Sequence, residues 1–149
     1  YTYADERYSR RIAHAIVERR KQLKITTTIE LAELVKSVVP FVHHRIHPAT
    51  KTFQALRIFV NKELENIESF LKNSLSVMHN DSRLVCISFH SLEDRIVKHF
   101  FKDRSHKNSA DFYFEILTKN VCTASETELK ENRSSRSARL RAAIFKKTI

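Results

Sequence analysis

Arg83-Leu84-Val85-Cys86-Ile87-Ser88-Phe89, followed at once by His90-Ser91-Leu92-Glu93-Asp94-Arg95, is the stretch whose reading decides the fold. The first seven residues form a continuous apolar run of β-branched and aromatic type, which predicts a strand buried on both faces. Ser91-Leu92-Glu93-Asp94 then reads as the cap of a following helix. Strand, tight turn and helix together make the repeating unit of an open parallel α/β sheet. Such sheets bind ligands beyond the carboxyl ends of their strands, which makes Phe89 to Arg95 a site candidate by position. The plainer reading stands beside it: Ser91 and Asp94 only cap, Arg95 only pairs with Glu93 or Asp94, and His90 only turns the chain.

Working outward toward the carboxyl terminus, Phe112, Phe114 and Ile116 alternate with Tyr113, Glu115 and Leu117. Ala138, Leu140, Ala142 and Ile144 alternate with Arg139, Arg141 and Phe145. These patterns predict two more strands, paired antiparallel. Thr123 to Ser137 lacks hydrophobic period and reads as a surface loop with one helical turn at most. Toward the amino terminus, His47-Pro48 opens a helix expected to run to about Leu75, since Phe53, Leu56, Val60, Leu64, Ile67 and Leu71 recur at intervals of 3, 4, 4, 3 and 4. Before it, Asp5 to Lys24 is helical with Tyr8, Ile12, Ile16 and Leu23 on one face. Thr27-Thr28-Ile29-Glu30 is a capping box for a helix carrying Leu31, Leu34, Val35 and Val38, stopped by Pro40. The first two helices are expected to form a hairpin.

Composition narrows the function. A chain of 149 residues suits one core, yet it contains no glycine and only two prolines, where average usage is about 7% glycine. Glycine-dependent phosphate loops and nucleophile elbows are thereby excluded. Net charge is +10, which favours a polyanionic partner. Residues 7 to 24 carry seven Lys/Arg against Glu18, and residues 130 to 149 carry seven against Glu131. Each run could grip phosphates, and each could equally be a solvated face or a charged strand edge. Cys86 and Cys122 show no disulfide or zinc spacing, so a reducing cytosolic setting is expected. There is no membrane-length apolar run, and the missing initiator Met allows the chain to be a piece of a longer one.

Other chemistry is weaker. Thr50, Gln54, Arg57 and Asn61 share a helical wedge, and Arg57 borders the apolar stripe, where it needs either an internal carboxylate or a phosphate. Ser88, His90 and Asp94 lack the spacing and the elbow of a hydrolase triad. His43, His44 and His47 have no matching ligands at zinc spacing, so no metal is expected. Cys86 reads as a small core residue.

Three segments together resemble one family: His47-Pro48-Ala49-Thr50-Lys51-Thr52-Phe53-Gln54-Ala55-Leu56-Arg57-Ile58, then Ile87 to Lys98, then Ser135-Arg136-Ser137-Ala138-Arg139-Leu140-Arg141. Asp5-Glu6-Arg7, Arg10-Arg11-Ile12-Ala13 and Ile25 to Ala32 extend the likeness over nearly the whole chain. The family is that of ribosomal RNA small subunit methyltransferase H. The resemblance implies S-adenosylmethionine-dependent N4-methylation of a cytidine in small-subunit ribosomal RNA, in the cytoplasm. It implies an α/β fold: the carboxyl-terminal half of a class I, Rossmann-like methyltransferase domain over 47–149, preceded over 1–46 by part of an inserted helical domain. The half that carries the cofactor loop has no counterpart here, so this chain alone is expected to bind no S-adenosylmethionine and to need a separate amino-terminal half.

By the same likeness Ser88, His90 and Ser91 are candidates for the wall of the site. Thr50, Gln54, Arg57, Arg95, Arg10, Arg11, Arg136 and Arg139 are candidates for contact with the ribosomal RNA or small subunit. The family usually has glycines where this chain has His79-Asn80-Asp81-Ser82, and a proline at Arg133, so those turns must be built otherwise. A stand-alone basic RNA-binding module and a decayed, unfolded fragment remain as alternatives.

Overall fold

The computed structural model describes residues 1–40, 47–106 and 111–148. It divides into two compact units, Tyr1–Glu63 and Leu64–Ile149. In the first, α1 (Ser9–Gln22) and α2 (Thr28–Val38) form the expected hairpin. Ile12, Val35, Val39 and Ala49 are its buried core, with Tyr8, Ile16, Leu31 and Phe53 packed against them. The capping box is present: the Glu30 amide donates to Thr27 Oγ1 at 3.2 Å, and the Thr27 amide donates to Glu30 Oε2 at 3.2 Å. Amides of Thr26 and Thr27 hold the Glu30 carboxyl below its ordinary range. Leu23 does not join the stripe. The helix ends at Gln22, and Leu23 turns to extended backbone and is exposed.

The long helix expected from His47 to Leu75 is two helices, α3 (Thr50–Asn61) and α4 (Glu63–Ser74). Lys62 lies between them in left-handed backbone, with φ 51° and ψ 41°. Glu63 folds back at the break and accepts from Arg57 Nε at 2.8 Å, from Arg57 Nη2 at 3.0 Å and from Asn61 at 3.3 Å. The apolar stripe therefore does not run through: Leu56 and Val60 are exposed while Ile58 is fully buried. No glycine or proline marks the break, so periodicity reads straight across it.

The second unit holds α4 from Leu64, β1 (Arg83–Ser88), α5 (Ser91–Asp103), β2 (Phe112–Ile116), β3 (Cys122–Thr123), α6 (Glu126–Glu131) and β4 (Arg139–Lys147). The segment expected to be a loop thus carries a two-residue strand, a short helix and a 3-10 turn at Arg133–Ser137. Sheet order is β1-β4-β2, with β3 also on β4. The β2–β4 pairing is antiparallel as expected, with Phe114 opposite Phe145. The parallel sheet expected around β1 is not formed among the described residues: β1 runs antiparallel to β4, with Cys86 opposite Arg141 and Ser88 opposite Arg139.

One face of this sheet is covered. Leu71, Val97, Phe100, Phe101, Phe114, Ala143 and Phe145 are its buried core. Ring centroids of Phe101 and Phe114 lie 5.2 Å apart, and Phe112 stacks on Phe145 at 4.9 Å. Burying each such ring contributes about 1.5–3 kcal/mol. The other face of β1 is not covered, since Val85, Ile87 and Phe89 are 54%, 59% and 55% exposed. The expectation of a strand buried on both faces fails because Leu84 and Cys86 pack against the core while Val85, Ile87 and Phe89 face away from it, and among the described residues β1 pairs only with β4.

The glycine-free turn before β1 is built on Asp81, held at φ 68°. Its amide donates to the Phe145 carbonyl at 2.9 Å, and Ser82 accepts the Phe145 amide at 2.8 Å. The carboxylate also bonds Lys146, and the charge and hydrogen bond of Asp81 raise the pKa of that amine. Aspartate tolerates this region better than most residues, whereas lysine does not. Replacing Lys62→Gly should therefore stabilise the protein by about 0.5–1 kcal/mol, the relief of left-handed strain exceeding the entropy that glycine adds to the unfolded chain. Urea unfolding would show it as a raised midpoint.

Candidate functional site

β1 ends at Ser88, the chain turns through Phe89 and His90, and α5 begins at Ser91. The cap is His90, where the sequence points to Ser91. The Glu93 amide donates to His90 Nδ1 at 3.3 Å, and Glu93 Oε2 accepts from the amides of Phe89 at 2.8 Å and His90 at 3.2 Å. This reciprocal box satisfies the first amides of α5 with an imidazole in place of a hydroxyl. Because Nδ1 accepts, the proton of a neutral ring sits on Nε2. That atom is buried and 3.3 Å from Glu93 Oε1, without hydrogen-bond alignment. Ser91 is exposed. Ser88 is buried, and its hydroxyl donates to the Arg139 carbonyl at 3.4 Å, pinning the strand end to β4.

Asp94, 6% exposed, occupies the first turn of α5. Arg141 Nε donates to Oδ1 at 2.6 Å and Nη2 to Oδ2 at 3.1 Å, a bidentate pair. Arg139 Nη1 lies 3.6 Å from Oδ2. Burial alone would raise the carboxyl pKa. The bonds and charge of Arg141, with the charge of Arg139, outweigh it and hold the group below its ordinary range. Both oxygens are taken by guanidinium groups, so Asp94 serves neither as a helix cap nor as a catalytic base, and a Ser88–His90–Asp94 triad is not assembled. Arg95 pairs with neither Glu93 nor Asp94. It is exposed and lines an open cavity of about 290 Å³ with Glu68, Lys72, His99 and Arg104.

Of the wall candidates, Ser88 and His90 thus serve the β1–α5 junction, and Ser91 lies exposed beside it. Arg139 reaches Asp94 with its side chain still 42% exposed. Arg136 is exposed in the 3-10 turn, where Ser135 is buried and donates to the Asn132 carbonyl at 2.7 Å. In the first unit, Arg10 and Arg11 are exposed on α1, Thr50 opens α3, and Gln54 is half-buried. Arg57 has met the first of its two alternatives, an internal carboxylate, in Glu63. His47 Nδ1 accepts the Ala49 amide at 3.2 Å, while His43 and His44 lie outside the described residues. The residue missed in the sequence is Arg141. The signal was its position: in β4 it alternates with Leu140 and Ala142 and shares the face of Ala143 and Phe145, so a buried acid had to meet it.

Removing one partner of such a pair strands a buried charge, so Asp94→Ala should cost about 3–5 kcal/mol. The carboxyl titrates below its unfolded value of about 3.9. The stability it contributes is therefore full well above pH 4 and is lost as pH falls through the native pKa. Urea unfolding at pH 7 and pH 3 should show a steep acid loss in the native protein. Asp94→Asn, which carries no titrating carboxyl, should lose less.

The sequence profile of the MraW methylase family matches residues 1–147. Ribosomal RNA small subunit methyltransferase H of Neorickettsia sennetsu is 52% identical over 141 residues, which cover 95% of this chain and 46% of that protein. The proteins of the same name from Rickettsia canadensis and Rickettsia prowazekii are each 47% identical over 156 residues, covering 96% of this chain and 51% of theirs. The chain spans about half the length of these curated relatives. Its β1–α5 unit with antiparallel strands beside it is part of a Rossmann-like methyltransferase fold. With a profile matched over all but its last two residues, the chain belongs to the MraW methylase family.

Proposed function

We propose that this chain acts as the carboxyl-terminal portion of an S-adenosylmethionine-dependent enzyme that methylates N4 of a cytidine in small-subunit ribosomal RNA. In this reading it supplies RNA contacts and one wall of the site, and a separate amino-terminal half supplies the cofactor loop. Residues 1–46 act as part of an inserted helical domain and 47–149 as the carboxyl-terminal half of the catalytic domain. The setting is cytoplasmic. Among the described residues no helix is long and apolar enough to cross a membrane.

The observation that carries the reading is the half-open sheet. Among the described residues β1 pairs on one edge only, with β4, and its Val85, Ile87 and Phe89 are exposed, in a chain matching about half of each relative's length. An apolar face with a free edge is a liability unless something pairs with it. The residues present do not fit the cofactor. The turn from β1 into α5 has the amides of Phe89 and His90 already bound by Glu93. The left-handed positions among the described residues belong to Asp5, Lys62 and Asp81, none of them in that turn.

On the RNA side, Arg10 and Arg11 on α1, Arg136 and Arg139 around the start of β4, and Thr50, Gln54, Arg57 and Arg95 are the proposed contacts, while Ser88, His90 and Ser91 shape the wall. The +10 charge with these exposed arginines also favours a second reading, a basic RNA-binding module without catalysis.

Co-expression with the amino-terminal half of the Neorickettsia sennetsu relative tests the two. The first reading predicts methyl transfer to small-subunit ribosomal RNA, and RNA binding without any transfer would leave the second. Replacing Arg10, Arg11 and Arg136 by Ala should weaken RNA binding and flatten its salt slope by about 2, near 0.7–0.9 per lost phosphate contact. An unchanged slope would mean that these charges are only solvated.

A further inference from the structure

A small cavity lies beside α5 on the covered side of the sheet, about 130 Å³ in volume. Lys98 and Lys102 border it from successive turns of α5, and Thr118 and Lys119 from the segment after β2. Phe101 and Ile116 give it apolar walls, and Arg141 also lines it. No carboxylate lines it. Among the described residues none of the three lysines forms an ion pair, although lysines elsewhere do, with Glu18, Glu33 and Asp81. The residues outside the described ones carry no Asp or Glu. Arg139 and Arg141 share the single carboxylate of Asp94, which leaves a further positive charge behind the cavity.

Like charges at positions i and i+4 of a helix repel. Lys98 and Lys102 do so here, with Lys119 brought to the same opening and no ion pair to any of the three among the described residues. Thr118 Oγ1 accepts the Ala142 amide at 3.0 Å, so its own proton remains to be donated elsewhere. We propose that Lys98, Lys102, Lys119 and Thr118 form a binding site for one phosphate group. Small-molecule sites take about 300–1,000 Å³, so a cavity of about 130 Å³ suits a phosphate group better than the base or sugar attached to it. Apolar walls lower the local dielectric and strengthen the attraction, and ammonium groups meet a phosphate as point charges without demanding a fixed fork. The site itself stands without the RNA reading. That reading bears only on whether the phosphate is free or part of an RNA backbone.

Two arms test it on the full chain. Titrating inorganic phosphate while following the lysine side-chain and Thr118 signals by NMR should give saturable shifts in the native protein, lost in the triple variant Lys98→Gln, Lys102→Gln, Lys119→Gln. Should that variant fail to fold, Lys119→Gln alone leaves α5 intact and should weaken phosphate binding several-fold. Absence of saturable shifts in the native protein would overturn the site. In the second arm, short single-stranded RNA is bound at several salt concentrations. One phosphate shared by three lysines predicts that the triple variant flattens the slope by about 0.7, one contact's worth for a single strand. A fall of about 2 would mean three separate contacts and would overturn the shared site. Saturable phosphate shifts with an unchanged slope would assign the site to a free anion. Failure of the native chain to bind RNA at all would count against the proposed function, with the phosphate titration still deciding the site.

Discussion

The ion pair between Asp94 and Arg141 ties the two halves of the second unit's architecture. Asp94 sits in the first turn of α5, and Arg141 lies in β4, the strand with which β1, β2 and β3 all pair. Removing two charges from water is expensive. The cost is offset because the contact is bidentate, because Arg139 adds a second cation, and because a carboxylate in the first turn of a helix faces the positive end of its dipole. Register follows from it. With Arg141 held under α5, Ala143 and Phe145 fall on the same face and meet Phe101 and Phe114, and a slip of one residue would turn all of them outward.

The absence of glycine shapes the rest. Among the described residues left-handed backbone falls on Asp5, Lys62 and Asp81, and each of the two later positions is braced by nearby contacts. Asp81 is bound to β4 through its amide and its carboxylate. Lys62 adjoins Glu63, which gathers Arg57 and Asn61. A turn that would otherwise be loose is in this way stitched by side chains, and at the start of α5 the imidazole of His90 performs the capping usually left to a hydroxyl.

Local chemistry was legible in the residues, and so was the antiparallel pairing of β2 with β4, whereas the pairing of β1 was not. The capping box at Thr27, the helix stop at Pro40 and the alternation of Phe112, Phe114 and Ile116 each depend on neighbours within a few positions. The resemblance carried the family as well, on segments that include Ile87 to Lys98. The break at Lys62 escaped notice because its cause is backbone strain at a residue that favours no such conformation. The partner of Asp94 escaped because it lies 47 residues away in sequence. The parallel sheet was inferred from the succession of strand, turn and helix, and the doubly buried β1 from the continuous apolar run Arg83 to Phe89. That inference describes a strand with neighbours on both sides, and the described chain supplies them on one.

That one-sided strand supports the proposal that the chain holds RNA-contacting and wall residues while the cofactor is held elsewhere. Calorimetric titration of S-adenosylmethionine into the purified chain, after a circular-dichroism melt has shown it folded, tests this most directly. No heat of binding is expected from the chain alone. Micromolar binding by the folded chain would contradict the proposal and would require a cofactor site built without glycine among these residues.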